Sequence, residues 1–323
     1  MNTVLTDLVV NDAPSLFGQN DENLSVISDA FGVAASINAD GNIRLSCDGY
    51  ERDAEEKLKN AEAVIRRLVK LSEENETVNK RLTAYLCDLV AENGVQSVNQ
   101  YTTDGICVTA KGRPIKAKTL GQAEYVESIR KNSVTFGIGP AGTGKTYLAV
   151  AMAVSAFRKN EVSRIILTRP AVEAGEKLGF LPGDLKDKLD PYLQPLYDAL
   201  GDMIPPKRLQ DFMEEGIIQI APLAYMRGRT LDRACVILDE AQNTNVSQLK
   251  MFLTRMGVNA KFIVTGDATQ VDLPRKEDSG LLKGISLLKN IKGIETIFFS
   301  NEDIVRHPLV TKIVKAFDRH ESE

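Results

Sequence analysis

Histidine is nearly absent from this 323-residue sequence, with two in all. So few do not support a zinc site, and the four cysteines (Cys47, Cys87, Cys107 and Cys235) form no CxxC pair. Scattered thiols suit a reducing compartment, so a cytoplasmic protein is expected. Long apolar runs are missing too. The richest stretch, Tyr147 to Phe157, spans 11 residues, against roughly 18 for a spanning helix. The N-terminal MNTVLTDLVVND carries acids and no base before its apolar patch, unlike a secretory signal. No membrane partner is expected. There is no internal repeat or low-complexity tract. At 43% hydrophobic and 26% charged, the composition is that of an average globular protein. The length corresponds to two domains of about 150 residues.

Net charge is −4 but unevenly spread. Residues 1–75 hold 7 basic and 14 acidic side chains, and the rest hold 33 and 30. No domain is basic enough for charge alone to mark a nucleic-acid binder. The first part reads as a strand (Val4 to Val10), a helix (Asp21 to Phe31), and runs Val33–Ile37 and Ile43–Cys47 about an Asp40-Gly41 hairpin turn. Ala54, Leu58, Ala61, Ile65 and Leu68 then form one apolar helical face. A helix around Val78 to Val90 closes at Asn93-Gly94. Residues 94–120 read as a linker and hairpin turning at Lys111-Gly112-Arg113-Pro114.

From residue 121 strands and helices alternate, which predicts a mainly parallel sheet. The strands expected are Val134–Ile138, Ile165–Thr168, Ile217–Ala221, Cys235–Leu238, Phe262–Thr265 and Thr296–Phe299. Helices are expected at Lys145–Phe157, Val246–Met256, Gly280–Leu288 and Leu309–Phe317. The Gly- and Pro-punctuated segment 171–206 is too long for an ordinary connection and reads as a functional insert.

Gly139-Pro140-Ala141-Gly142-Thr143-Gly144-Lys145-Thr146 satisfies GxxxxGK[ST] after an apolar strand and at a helix start. Such a loop points successive N–H groups and a helix N-terminus at phosphates. Lys145 is placed for the β- and γ-phosphates and Thr146 for Mg²⁺. Cys235-Val-Ile-Leu-Asp239-Glu240 ends a strand in two carboxylates. Asp239 is the expected second metal anchor, and Glu240 the group that polarises the attacking water. Gln270, after the strand Phe262–Thr265, is a candidate γ-phosphate sensor. Gln122, about 12 residues before the first strand, is a candidate for the adenine edge. With another strand intervening in sequence between loop and carboxylates, the analogy is to RecA-like P-loop ATPases. The expected fold is an α/β RecA-like domain, a mainly parallel sheet flanked by helices (121–323), after a small α+β domain (1–93).

The segments KTLGQAEYVESI, TFGIGPAGTGKTYLAVAMAV, LTRPAVEAGEKLGFLPGDLKDKLDPYLQPLYDAL, APLAYMRGRTLDRACVILDEAQNTNVSQLKMFLTRMG, FIVTGDATQVDLP and DIVRHPLV closely resemble the PhoH-like ATPases over roughly residues 117–317. The resemblance implies one RecA-like domain related to superfamily 1 helicase motors, binding ATP and associated with RNA metabolism. Helicases of that group draw arginines from a second domain. Here the expectation is an arginine finger in cis or from a neighbouring subunit, the latter in a ring or filament. Arg306 ranks first, then Arg255, with Arg227 and Arg229 behind. Thr168-Arg169-Pro170 resembles a helicase segment touching nucleic-acid backbone, so Arg169 is expected to meet a phosphate or an acid of the insert. His307 reads as structural.

Residues 15–70 resemble a KH domain in layout. The loop that clamps backbone in such domains reads Gly18-Gln-Asn-Asp21 here, with Asp in place of the final Gly and no base nearby. That favours docking of a protein partner or oligomerisation over RNA at this domain. The leading expectation is an Mg²⁺-dependent ATPase coupled to single-stranded RNA, as a homo-oligomer. The alternative is a nucleotide-gated adaptor for a protein partner.

Overall fold

A computed structural model describes residues 2–9, 16–18, 21–37, 42–48, 51–73, 78–100, 105–170, 185–273, 275, 279–305 and 310. The chain divides into two compact units, Met1–Thr103 and Asp104–Glu323.

In the first unit, β1 (Asn2–Val9) is followed by α1 (Glu22–Phe31), β2 (Ala34–Ile37), β3 (Asn42–Cys47), α2 (Glu51–Glu73), α3 (Lys80–Asn93) and α4 (Gln96–Gln100). The sheet is antiparallel in the order β1-β3-β2, with Leu45 paired to Val4 on one side and Ala35 on the other. The anticipated apolar face of α2 is buried along its length, from Ala54 through Leu68, and the helix packs on β1 and β3. Asn79 caps α3 by accepting from Leu82 N–H, and Gly94 N–H closes it on Val90 O. The hairpin turn 38–41 and the middle of the Gly18–Asp21 loop lie outside the described residues.

The unit boundary differs from the expected linker. The hairpin of β4 (Gly105–Val108) and β5 (Pro114–Lys116) belongs to the second unit. Its Ile106 and Ile115 are buried in that unit's core.

The second unit is a six-stranded parallel sheet in the order β11-β6-β10-β9-β7-β8. The strands are β6 (Val134–Ile138), β7 (Arg164–Arg169), β8 (Ile218–Pro222), β9 (Ala234–Leu238), β10 (Lys261–Gly266) and β11 (Ile294–Phe298). β6 and β9 are buried at every position, as strands covered on both faces must be. Alternation sends Phe136, Ile166, Val236 and Val264 to one core, with Leu249 of α9 (Val246–Leu253) and Leu281 of α10 (Leu281–Leu288). Ile165, Leu167, Ile237 and Ile263 face the other, under α5 (Leu120–Lys131), α6 (Lys145–Arg158) and α7 (Leu185–Met203).

Three elements depart from expectation. α5, capped by Thr119, was not anticipated, because buried Gln122 and Ser128 interrupt its apolar stripe. α7 occupies much of the presumed insert despite Pro191 and Pro195. A proline inside a helix costs about 3 kcal/mol. Burial of Leu193, Leu196, Ala199, Leu200 and Met203 on one face offsets that. α9 stops at Leu253 because the chain turns away to bridge Met256 to Leu231. α8 (Pro206–Glu214) follows α7. Residues 171–184 and most of the expected helix Leu309–Phe317 lie outside the described residues. No helix among the described residues is long and apolar enough to cross a membrane.

Candidate nucleotide site

The sheet reverses its direction of growth at β6. The chain leaving β6 crosses by α6 to β7, and the chain leaving β10 returns to β11 on the other side. Clefts at the carboxyl ends of strands beside such a reversal are where open α/β sheets bind ligands. The loop 139–144 lies there.

Gly144 enters α6 at φ +80°, a conformation that penalises any side chain. A Cβ on Gly139 would lie 2.7 Å from Phe299 Cβ and O, so the loop passes against the end of β11. The loop is fixed from outside by its carbonyls. Gln122 Nε2 donates to Thr143 O (2.9 Å), and Val305 N–H to Gly142 O (2.9 Å). Lys145 is buried, and its ammonium donates to Gly139 O (2.6 Å) and Pro140 O (2.7 Å). Residues of the loop share a cleft of about 290 Å³ with Asp239, Glu240, Asp267 and Gln270. Of the sequence-predicted groups, Lys145, Thr146, Asp239, Glu240 and Gln270 share this cleft.

Asp239 is 2% exposed. Its Oδ1 accepts from Thr146 Oγ1 (2.7 Å) and from Thr265 Oγ1, and its Oδ2 from Arg169 Nε (2.8 Å) and Nη2. Arg169 also donates through Nη1 to Tyr192 O of α7 (2.6 Å). Among the described residues the acid that Arg169 meets is Asp239, and it holds the insert by the backbone carbonyl of Tyr192; the insert's residues 171–184 lie outside the described residues. Thr146 and Asp239 present hard oxygens side by side at the mouth of the loop, a donor set that fits magnesium.

Glu240 stands at φ +55°, ψ +41°, a left-handed conformation costing a non-glycine residue roughly 1 kcal/mol or more. This turns it away from the buried strand, and its side chain is 46% exposed. Burial, and secondly the Asp239 charge, push its carboxyl above the usual range. Gln242 Nε2 donates to Glu240 Oε2 (2.6 Å), while Gln242 Oε1 accepts from Asp267 N–H (3.0 Å). Gln270 Nε2 donates to Asp267 Oδ2 (2.6 Å). Gln242, 1% exposed, therefore links the two strand ends. In the sequence its one signal is its place two residues after Glu240.

Other expected residues sit elsewhere. Gln122 does not line the cleft; its Oε1 accepts from Lys118 N–H (2.7 Å) while its Nε2 holds Thr143. Both ends of its amide are engaged with backbone, at Lys118 and at Thr143 of the loop. Arg255 lies beyond α9 near Leu231, at the amino edge of the sheet. A five-residue strand, about 16 Å long, separates that edge from the cleft. Its guanidinium donates to Met251 O and Arg229 O, so it does not serve the cleft of its own chain. Arg229 is turned to Gln219 Oε1 (2.7 Å), and Arg227 is exposed outside the cleft. Arg306 and His307 lie outside the described residues. In space the strand between the loop strand β6 and the carboxylate strand β9 is β10.

A family model described as PhoH-like protein matches residues 114–318. The chain is 47% identical over 312 residues to the PhoH-like protein of Bacillus subtilis, covering 96% of this chain and 95% of that one. It is 58% identical over 214 residues to the PhoH-like protein of Synechocystis sp., covering 66% and 65%. To Protein PhoH of Escherichia coli it is 38% identical over 278 residues, covering 84% and 77%. Among solved structures, the DUF1998 helicase MrfA bound to DNA aligns at TM-score 0.36 and 12% identity, over 70% of this chain and 28% of that one. The Sulfolobus solfataricus SWI2/SNF2 ATPase core in complex with dsDNA aligns at 0.31 and 16%, over 49% and 33%. Structural likenesses this weak locate no residue and assign no activity.

Proposed function

The chain belongs to the PhoH-like protein family, and on that footing we propose that it binds ATP with Mg²⁺, hydrolyses it, and couples the turnover to single-stranded RNA. The observation that carries the reading is the pairing of Thr146 with Asp239 at 2.7 Å beside the buried Lys145, with Glu240 one residue on. In this reading the loop N–H groups and Lys145 bind the triphosphate. Thr146 and Asp239 would hold the magnesium, which when bound would supply neutralisation of charge on the phosphate oxygens. Arg169 occupies Oδ2 of Asp239 and so keeps Oδ1 turned to Thr146. Glu240 orients the water, and its raised affinity for a proton suits a group that must take one near neutral pH. Gln242 and Gln270 connect that carboxylate to the end of β10. Arg306, next to the Val305 that binds the loop, supplies the finger in cis or to a neighbour in a homo-oligomer.

The adaptor reading draws on one observation: Arg169 ties Asp239 to α7, so a change at the metal anchor is mechanically linked to the segment 185–203. Steady-state ATP turnover with and without single-stranded RNA separates the two, with Lys145→Ala as the control for contaminating activity. Turnover raised several-fold by RNA, an effect that fades with salt, supports the motor. Turnover that is slow and indifferent to RNA supports the adaptor. Turnover retained by Glu240→Gln refutes the role given to that residue.

A further inference from the structure

Residues 105–123 carry Lys111, Arg113, Lys116 and Lys118 and no acid, in a chain of net charge −4. Lys111, Arg113 and Lys118 are exposed, whereas Ile115 and Ala117 between them are buried. The alternation thus turns apolar side chains to the core and cations outward. The β4–β5 hairpin is also held firmly. Thr109 N–H donates to Arg113 O (2.8 Å) and Arg113 N–H to Thr109 Oγ1 (3.0 Å). Ala110 N–H donates to Asp202 O (2.8 Å), and Arg158 clamps Val108 O (3.0 Å) and Met203 O (2.7 Å). Asp202, the acid beside it, has its carboxylate engaged by Tyr147 OH.

The second observation is where the hairpin leads. Lys118 N–H donates to Gln122 Oε1 (2.7 Å), and Gln122 Nε2 donates to Thr143 O (2.9 Å) in the phosphate loop. Next to Lys118, Thr119 Oγ1 donates to Asp303 Oδ1 (2.6 Å), and two residues after Asp303 the Val305 N–H binds Gly142 O (2.9 Å). Gln122, Thr119 and Asp303 are all buried. Two short buried connections therefore run from the base of the basic hairpin to consecutive carbonyls of the loop.

We propose that the β4–β5 hairpin is a nucleic-acid contact, its cations neutralising the phosphodiester backbone of a single strand, and that Gln122 and the Thr119–Asp303 pair carry its occupancy to the phosphate loop. The coupling part rests on the ATPase reading above; the contact itself does not. Cations on a rigid exposed hairpin read backbone charge and not base identity, so binding is indifferent to sequence and steep in salt.

The test uses the full chain and labelled 20-nucleotide RNA and DNA strands of equal length, with binding followed by anisotropy across salt concentrations. The variant is Lys111→Gln with Arg113→Gln and Lys118→Gln. The control removes as many exposed cations elsewhere on the same unit, at Lys250, Lys289 and Lys292. Losing three contacts lowers the slope of log affinity against log salt by about 2 for a single strand. The hairpin variant is expected to bind at least tenfold more weakly at 0.1 M salt (order of magnitude). It keeps basal ATP turnover and loses the strand-stimulated increment, while the control variant binds as wild type. Exchanging Lys for Arg and Arg for Lys at the three positions restores binding. Equal losses in both variants, or none in the hairpin variant, overturn the hairpin site and leave the ATPase reading intact. Wild type that binds neither strand overturns the hairpin site and the RNA coupling together. Binding of DNA alone keeps the hairpin site and overturns RNA as its strand.

Discussion

Replacing Arg169 by alanine removes three hydrogen bonds at once, two to Asp239 Oδ2 and one to Tyr192 O. The side chains concerned are 15% and 3% exposed, so the pair is largely screened from water. Breaking a buried pair from one side costs about 3–5 kcal/mol, because the remaining charge loses its counterion. The lower end applies here: Asp239 keeps two hydroxyl donors on Oδ1 and borders an open cleft. In a unit of this size 1 kcal/mol corresponds to about 2–4 °C in Tm, so Arg169→Ala should lower the melting temperature by about 6–12 °C. Scanning calorimetry suits the measurement, since the chain has no tryptophan. Asp239→Asn with Arg169→Ala should lose clearly less than the sum of the single variants, a coupling of about 2 kcal/mol. Arg169→Lys should recover only part, since an ammonium cannot reproduce the fork on one oxygen. A shift of Arg169→Ala within 1 °C of wild type, by order of magnitude, or an additive cycle, would show that the ion pair does not hold the acidic strand end.

Four further outcomes are expected. Lys145→Ala should abolish tight ATP binding measured by calorimetric titration, and retained affinity would remove the loop from the phosphate site. Because burial and Asp239 raise the Glu240 carboxyl, the ionised, water-polarising form is lost as pH falls through a value above the usual ~4.3. The acid limb of kcat should therefore lie above that value and move higher in Arg169→Ala, since the Arg169 charge lowers it; an unmoved limb would detach it from Glu240. Gln242→Ala leaves the Asp267 N–H buried without its acceptor, which costs about 1–3 kcal/mol. It should also slow turnover more than it weakens ATP binding, and an unchanged kcat would make Gln242 a stability residue only. Arg306→Ala should slow turnover without weakening binding, and if Arg255→Ala alone does so, the finger lies at the far edge of a neighbouring subunit.

What was legible in the sequence was contiguous. The loop 139–146 and the run Cys235 to Glu240 are local patterns in which strand, turn and helix start are written in consecutive residues, and each lies where its pattern put it. The first unit's α2 was legible for the same reason, its buried positions recurring at helical spacing. α7 was not, because Pro191 and Pro195 are local breakers overruled by burial that only the tertiary structure supplies. Nor was the separation of β6 from β9 by β10, since strand order depends on which helix crosses which face. Arg169 illustrates the limit most sharply. It was visible as a charge at a strand end, but its partner lies 70 residues away, and nothing in either segment names the other.

The same distinction separates binding from coupling in this site. The groups that we propose bind phosphate and metal sit in short motifs, and each can be read alone. The groups that connect them sit between motifs: Gln122 joins the hairpin to Thr143, Gln242 joins Glu240 to the end of β10, and Arg169 joins Asp239 to α7. All three are long, forked, polar side chains spanning two backbone or carboxylate partners with little exposure. Each such side chain ties one element to another, because a buried polar group that loses a partner on either end leaves the other group with its full desolvation cost. Their substitutions should accordingly be non-additive with those of the motif residues they touch.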